Sequence, residues 1–176
     1  MAVNNHTVFL IGFMGSGKTT LGKKLAAKLG LQFVDLDEQI CFTFHASRLS
    51  SLIEEKGIDF FREAESKVLK EIDVSGKLIA TGGGTPCFFD NMDWMKSKGV
   101  VVYIELDEKT LFHRLKQTDL SERPLLKGLD NEGLKNFINR TLAERKQFYS
   151  QAHIALNPLV TDVNEMAERI RSFLPS

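Results

Sequence analysis

Val8-Phe9-Leu10-Ile11-Gly12-Phe13-Met14-Gly15-Ser16-Gly17-Lys18-Thr19-Thr20-Leu21 decides the fold. Val8 to Phe13 is a continuous apolar run, the pattern of a strand buried on both faces of a parallel sheet. From Lys18 onward Leu21, Leu25 and Leu29 recur every four residues and Gly30 follows as a stop, which predicts a helix. Between them Gly12 to Thr19 satisfies G-x-x-x-x-G-K-[ST] in full, in the strand–loop–helix setting that its chemistry requires. Gly12, Met14, Gly15, Ser16, Gly17, Lys18, Thr19 and Thr20 are therefore candidate nucleotide-binding residues. The glycines let backbone N–H groups curl around phosphates at a helix start, Lys18 brings a point charge to the β and γ oxygens, and Thr19 offers a hydroxyl to Mg²⁺.

The rest of the chain continues the alternation. Strands are expected at Gln32 to Leu36, Lys77 to Thr81, Val100 to Leu106 and His153 to Leu156. Helices are expected from an Asp37 cap to Thr43, over Ser47 to Lys56, Asp59 to Ile72, after Asp107, over Asn131 to Tyr149 and over Val163 to Leu174. Alternating β and α elements imply a three-layer α/β/α fold around a five-stranded parallel sheet, with ligands gathering at the carboxyl ends of the strands. Thr118 to Asp130, polar and carrying Arg123-Pro124 and Gly128, reads as an excursion, and its functional version is a mobile lid over about residues 117–130.

Bulk properties bound the function. The 176 residues call for one domain, and 23 Lys+Arg against 23 Asp+Glu leave no global pull toward nucleic acid or a membrane surface. Cys41 and Cys87 are too few for a disulfide framework, and the N-terminal apolar run is short, has no basic leader and enters a glycine loop. These features point to a cytoplasmic monomer acting on small molecules. The four histidines have no ligand spacing, so no metal beyond magnesium is expected.

The phosphate loop alone does not name a reaction, because motors, switches and kinases share it. Asp35 and Asp37 stand two apart at a strand end and share a face, so one can hold magnesium-bound water and the other an acceptor hydroxyl; alternatively Asp37 only caps a helix and Asp35 lies at the surface. Arg62 and Glu65 stand at i and i+3 on a helix, where the carboxylate can turn the guanidinium toward a carboxylate ligand or form a plain surface pair. Gly82-Gly83-Gly84 after a strand lets a ligand approach the backbone closely. Arg123 in the lid can bring charge to the phosphoryl group in flight, and Arg145 alone reads as an ordinary surface charge with a packed stem. Of Phe42, Phe44, Phe60 and Phe61, some can line a pocket, although such spacing is more often core.

Taken jointly, Gly12 to Thr20, Asp35-Leu36-Asp37, Phe61 to Glu65, Thr81 to Gly84, Arg123-Pro124-Leu125-Leu126 and Arg145 ahead of Tyr149 resemble the shikimate kinase family over nearly the whole chain. That resemblance implies ATP-dependent phosphorylation of shikimate to shikimate 3-phosphate in aromatic amino acid biosynthesis. It assigns catalytic roles to Lys18, Asp37 and Arg123, the shikimate ring and carboxylate to Arg62, Gly82, Gly83, Gly84 and Arg145, and the surroundings of Mg²⁺ to Thr19 and Asp35. Arg123 would close over ATP, and Arg114 looks similar to the arginine that stacks on adenine. The run Ile154-Ala155-Leu156-Asn157-Pro158 departs from the family's Asp followed by Ser or Thr. Related gluconate or nucleoside monophosphate kinases, and a nucleotide-binding regulatory module, are the alternatives. A monophosphate acceptor calls for more basic residues than Arg123 and Lys127, and intact Lys18, Asp37 and Arg123 argue against a silent module.

Overall fold

A computed structural model describes residues 5–118 and 124–175. Arg123, expected in the lid, lies outside the described residues. In chain order the elements are β1 (Val8–Ile11), α1 (Lys18–Leu29), β2 (Gln32–Asp35), α2 (Leu36–Thr43), α3 (Leu49–Lys56), α4 (Ile58–Glu71), β3 (Lys77–Ala80), α5 (Asn91–Lys98), β4 (Val100–Ile104), α6 (Glu108–Lys116), α7 (Asn131–Tyr149), β5 (Ile154–Leu156) and α8 (Val163–Arg171). The strands form one sheet in the order β2-β3-β1-β4-β5, every pairing parallel.

Alternation along β1 and β4 divides the apolar side chains between two cores. Val8 and Leu10 pack with Val100, Val102 and Ile104 against α1 and α8, while Phe9, Ile11 and Val101 face the opposite side among α2, α4 and α5. Trp94 of α5 meets the Phe9 ring edge-on at 6.0 Å, a packing role. A third cluster beyond the strand ends joins Phe13 to Leu111 and Leu115 of α6 and to Leu134 and Ile138 of α7. Helices therefore cover both sheet faces, as the alternation implied. The chain reverses at β1, whose neighbours are β3 and β4, and this puts the loop after β1 beside the loop after β3 at the carboxyl edge.

The first helix matches its expectation: Gly30 takes a left-handed φ of 68° and its N–H caps the Ala26 carbonyl. The cap of α2 does not. Asp35, not Asp37, accepts the backbone N–H, that of Asp37, at 3.0 Å, because the strand ends one residue early and frees the Asp35 carboxylate to turn back. The expected lid is tied down on its carboxyl side, where Pro124–Leu126 form a 3₁₀ turn and Leu126 is fully buried with Phe13 and Leu115.

The start of β4 carries a tight steric condition. A Cβ built on Gly99 would stand 2.3 Å from the Thr7 carbonyl oxygen, which itself accepts the Val100 N–H. Gly99→Ala is expected to cost about 2 kcal/mol by overpacking and to lower Tm by roughly 5 °C in a chain of this size, measured by thermal unfolding.

Candidate active site

The phosphate loop and the Gly82-Gly83-Gly84 turn meet at the sheet's carboxyl edge and bound two adjoining cavities. One, of about 250 Å³, is lined by Gly15, Gly17, Lys18, Thr19, Thr20 and Asp35 among others. The other, of about 200 Å³, is lined by Arg62, Glu65, Gly84, Leu125, Arg145 and apolar residues of α3 and α4. Met14, Asp37, Gly82 and Gly83 belong to both.

On the phosphate side the loop is held by its own side chains. Lys18 Nζ donates to the carbonyls of Gly12 at 2.8 Å and Phe13 at 2.9 Å, so its charge sits inside the loop's curl. Gly12, Gly15 and Gly17 all have positive φ, a conformation that glycine adopts without steric cost. Arg114 reaches back from α6 to donate to the Ser16 carbonyl at 3.1 Å, which places its guanidinium against the loop. Thr19 Oγ1 donates to Asp35 Oδ2 at 2.8 Å. This hydroxyl and carboxylate are hard oxygen donors of the kind Mg²⁺ takes alongside phosphate and water oxygens.

The acceptor side is built around buried charge. Arg62 Nη1 bonds Glu65 Oε2 at 2.7 Å, and the other Glu65 oxygen accepts from Thr85 Oγ1 at 2.6 Å. Glu65 has no exposed surface, so the pair is buried and not the surface pair left open from the sequence. The rings of Phe88 and Phe61 flank the Arg62 guanidinium at 4.4 Å and 5.1 Å and fix its plane. Phe61 is the one residue of the expected phenylalanine group that lines this cavity; Phe42 is exposed, and Phe44 and Phe60 pack edge-on against each other.

Arg145 is buried, not a surface charge. Its guanidinium lies 5.5 Å from the Phe13 ring centroid and 3.5 Å from the Tyr149 hydroxyl, and among the described residues no carboxylate pairs with it. The three glycines leave room for these groups: a Cβ would stand 2.7 Å from Glu65 Oε1 at Gly82, 3.0 Å from Arg145 Nη1 at Gly83 and 2.6 Å from Arg62 Nη2 at Gly84. The sequence had suggested close approach of a ligand; it did not reveal that the turn accommodates the arginines and Glu65.

Two polar atoms in this cavity are buried without a hydrogen-bond partner: Asp37 Oδ1 and Arg62 Nε. Such orphans are costly, and a ligand that brought a donor and an acceptor would answer them. Burial lifts the Asp37 pKa to about 6, helped by the nearby Asp35 and Glu65 carboxylates and opposed by Lys18 and Arg62. Cys87 is half-buried and its thiol is pushed up to about 11, mainly by burial, so it stays protonated and unreactive at neutral pH. His153 Nδ1 accepts the Val101 N–H at 2.9 Å, a structural role, and no cluster of three or more His, Cys, Asp or Glu side chains placed to hold a metal occurs among the described residues.

A loop shaped for polyphosphate that shares a wall with a cavity furnished for a small anion and its hydroxyl makes the chain a small-molecule kinase of the P-loop class. A family model described as shikimate kinase matches residues 14–175. The chain belongs to the shikimate kinase family. Shikimate kinase from Parabacteroides distasonis is 40% identical over 172 residues, covering 95% of this chain and 98% of that one. The crystal structure of shikimate kinase from Bacteroides thetaiotaomicron superposes with a TM-score of 0.85 at 38% identity, over 95% of this chain and 97% of that chain. The enzyme from Acinetobacter baumannii in complex with shikimate gives 0.84 at 29% identity, over 97% and 94%.

The raised Asp37 pKa carries a stability cost. Its folded value lies above the ordinary 3.8, so the carboxyl adds stability when protonated and that gain is lost as pH rises from about 4 through about 6. Asp37→Asn should therefore unfold at a higher temperature than the native protein at pH 7.5, and the difference should shrink toward pH 4. Parallel melting curves across that range measure it.

Proposed function

We propose that this chain transfers the γ-phosphoryl group of ATP to the 3-hydroxyl of shikimate, giving shikimate 3-phosphate and ADP in aromatic amino acid biosynthesis. The observation that carries it is the pair of orphaned atoms: a ring bearing one carboxylate and vicinal hydroxyls offers an acceptor to Arg62 Nε and a donor to Asp37 Oδ1. Arg145, a buried cation lacking a carboxylate among the described residues, takes the other side of the substrate carboxylate. Family membership and the likeness to a relative solved with shikimate support the same acceptor.

In the proposed reaction the acceptor oxygen forms a bond to the γ-phosphorus, the bond from that phosphorus to the β–γ bridging oxygen breaks, and ADP leaves. Asp37 takes the hydroxyl proton. A carboxylate with a pKa near 6 suits that task at neutral pH, being ionised yet more basic than an exposed one. Lys18 and the backbone of Gly12, Met14, Gly15, Ser16, Gly17, Thr19 and Thr20 bind the phosphates, and Gly82, Gly83 and Gly84 admit the acceptor. Arg114 braces the loop through Ser16, and Arg123 adds charge from the lid. Thr19 and Asp35 would hold Mg²⁺, which neutralises phosphate charge when bound.

ADP release with ATP and Mg²⁺ should depend on shikimate and not appear with gluconate or a nucleoside monophosphate; activity with either of those instead would overturn the acceptor. Lys18→Ala and Asp37→Asn should lower kcat by roughly 10²- to 10⁴-fold, and kcat/KM should fall as pH drops through about 6. Arg62→Ala should raise KM for shikimate roughly 10- to 100-fold and leave KM for ATP nearly unchanged; equal changes would count against carboxylate recognition.

A further inference from the structure

We infer that Tyr149 is a positioning residue for the acceptor, its hydroxyl setting both the peptide plane that follows Gly83 and the head of Arg145. This rests on the acceptor assignment proposed above. Tyr149 ends α7 and is nearly fully buried. Its hydroxyl donates to the Gly83 carbonyl at 2.6 Å and faces Arg145 Nη1 at 3.5 Å, the outer limit of a hydrogen bond. Its ring is stacked on Tyr103 of β4, centroids 4.9 Å apart and planes 28° from parallel, so the oxygen is presented from a rigid support.

Gly83 needs such a restraint. The peptide joining two glycines rotates at little steric cost, and nothing in a bare glycine turn selects one orientation. The chain has no cis peptide bond among its described residues, so the Gly83 carbonyl and the Gly84 N–H lie in one plane and point in opposite directions within it. Drawing the carbonyl to Tyr149 therefore also fixes the direction of the Gly84 N–H, at a residue that lines the acceptor cavity. The neighbouring turn carbonyls are occupied too, Gly82 O accepting from Thr85 N and Gly84 O from Cys87 N. Gly83 also has the Met14 nitrogen and Gly12 oxygen within 3.1 and 3.3 Å of where its Cβ would be, so a shift here reaches the phosphate loop. Burial pushes the phenol well above its ordinary pKa, and the hydroxyl remains a donor at every working pH.

Tyr149→Phe removes one oxygen and keeps the ring and its stack. KM and the calorimetric Kd for shikimate should rise roughly fivefold, the worth of a buried neutral hydrogen bond, while KM for ATP stays within about twofold. A KM does not depend on how much of the sample is folded, so a destabilised variant still reports. A change in the shikimate constants below about threefold, or an equal rise in both KM values, overturns the inference. Native protein that fails to bind shikimate sinks the acceptor assignment itself, whereas native binding that Tyr149→Phe leaves untouched sinks only the role of Tyr149.

Discussion

A carboxylate with no contact with water persists in a protein only when its charge and its lone pairs are both answered, since desolvation of an ion costs several kcal/mol. Glu65 meets that condition with Arg62 on one oxygen and Thr85 on the other. Because Thr85 opens the short 3₁₀ turn after the three glycines, the same carboxylate fastens α4 to the loop that leaves β3. Ser66, next on α4, repeats the connection by donating to Asn91 at 2.7 Å, and Asn91 in turn donates to the Thr85 carbonyl at 2.9 Å. The cavity beside Arg62 is thus walled by a helix and a turn that cannot separate without leaving one oxygen of a buried carboxylate unpaired. The apolar sheet below could tolerate small adjustments; this buried hydrogen-bonded joint could not.

What local sequence encodes, local sequence disclosed. The helix over Lys18–Leu29 with its Gly30 stop, the Asp107 cap of α6 and the span Asn131–Tyr149 depend on contacts within a few residues, and each lies where periodicity and capping chemistry put it. Strand ends were less legible: Leu106 continues the apolar run of β4, yet pairing stops at Ile104 because β5 is only three residues long. The exchange of roles between Asp35 and Asp37 has the same origin. Both are good capping residues, and which of them caps depends on where the strand lets go.

The site divides along the same line. The phosphate loop is contiguous, so its residues could be read directly, and the scattered residues proposed to hold the acceptor came from the resemblance to a family. Their physical setting could not be read from neighbours in the chain. Arg145 is buried because Phe13, Gly83 and Tyr149 meet around it, from three separate elements. Phe88 over Arg62 and Arg114 against Ser16 are likewise long-range meetings, the latter spanning 98 positions. Nothing in the local pattern distinguishes such an arginine from one with a packed stem and a wet head.

The common wall of the two cavities has a bearing on inhibitor chemistry. Met14, Asp37, Gly82 and Gly83 are exposed to both spaces, with no helix or strand interposed. A carboxylated ring tethered to a polyphosphate mimic would pass from one space to the other beside Asp37 through a linker of only a few atoms. Each half would then raise the effective concentration of the other, and the tether would lose little entropy on binding because the passage is short. A protonated linker atom opposite Asp37 would find a carboxylate already deprived of water, so the linker itself adds a charged contact there.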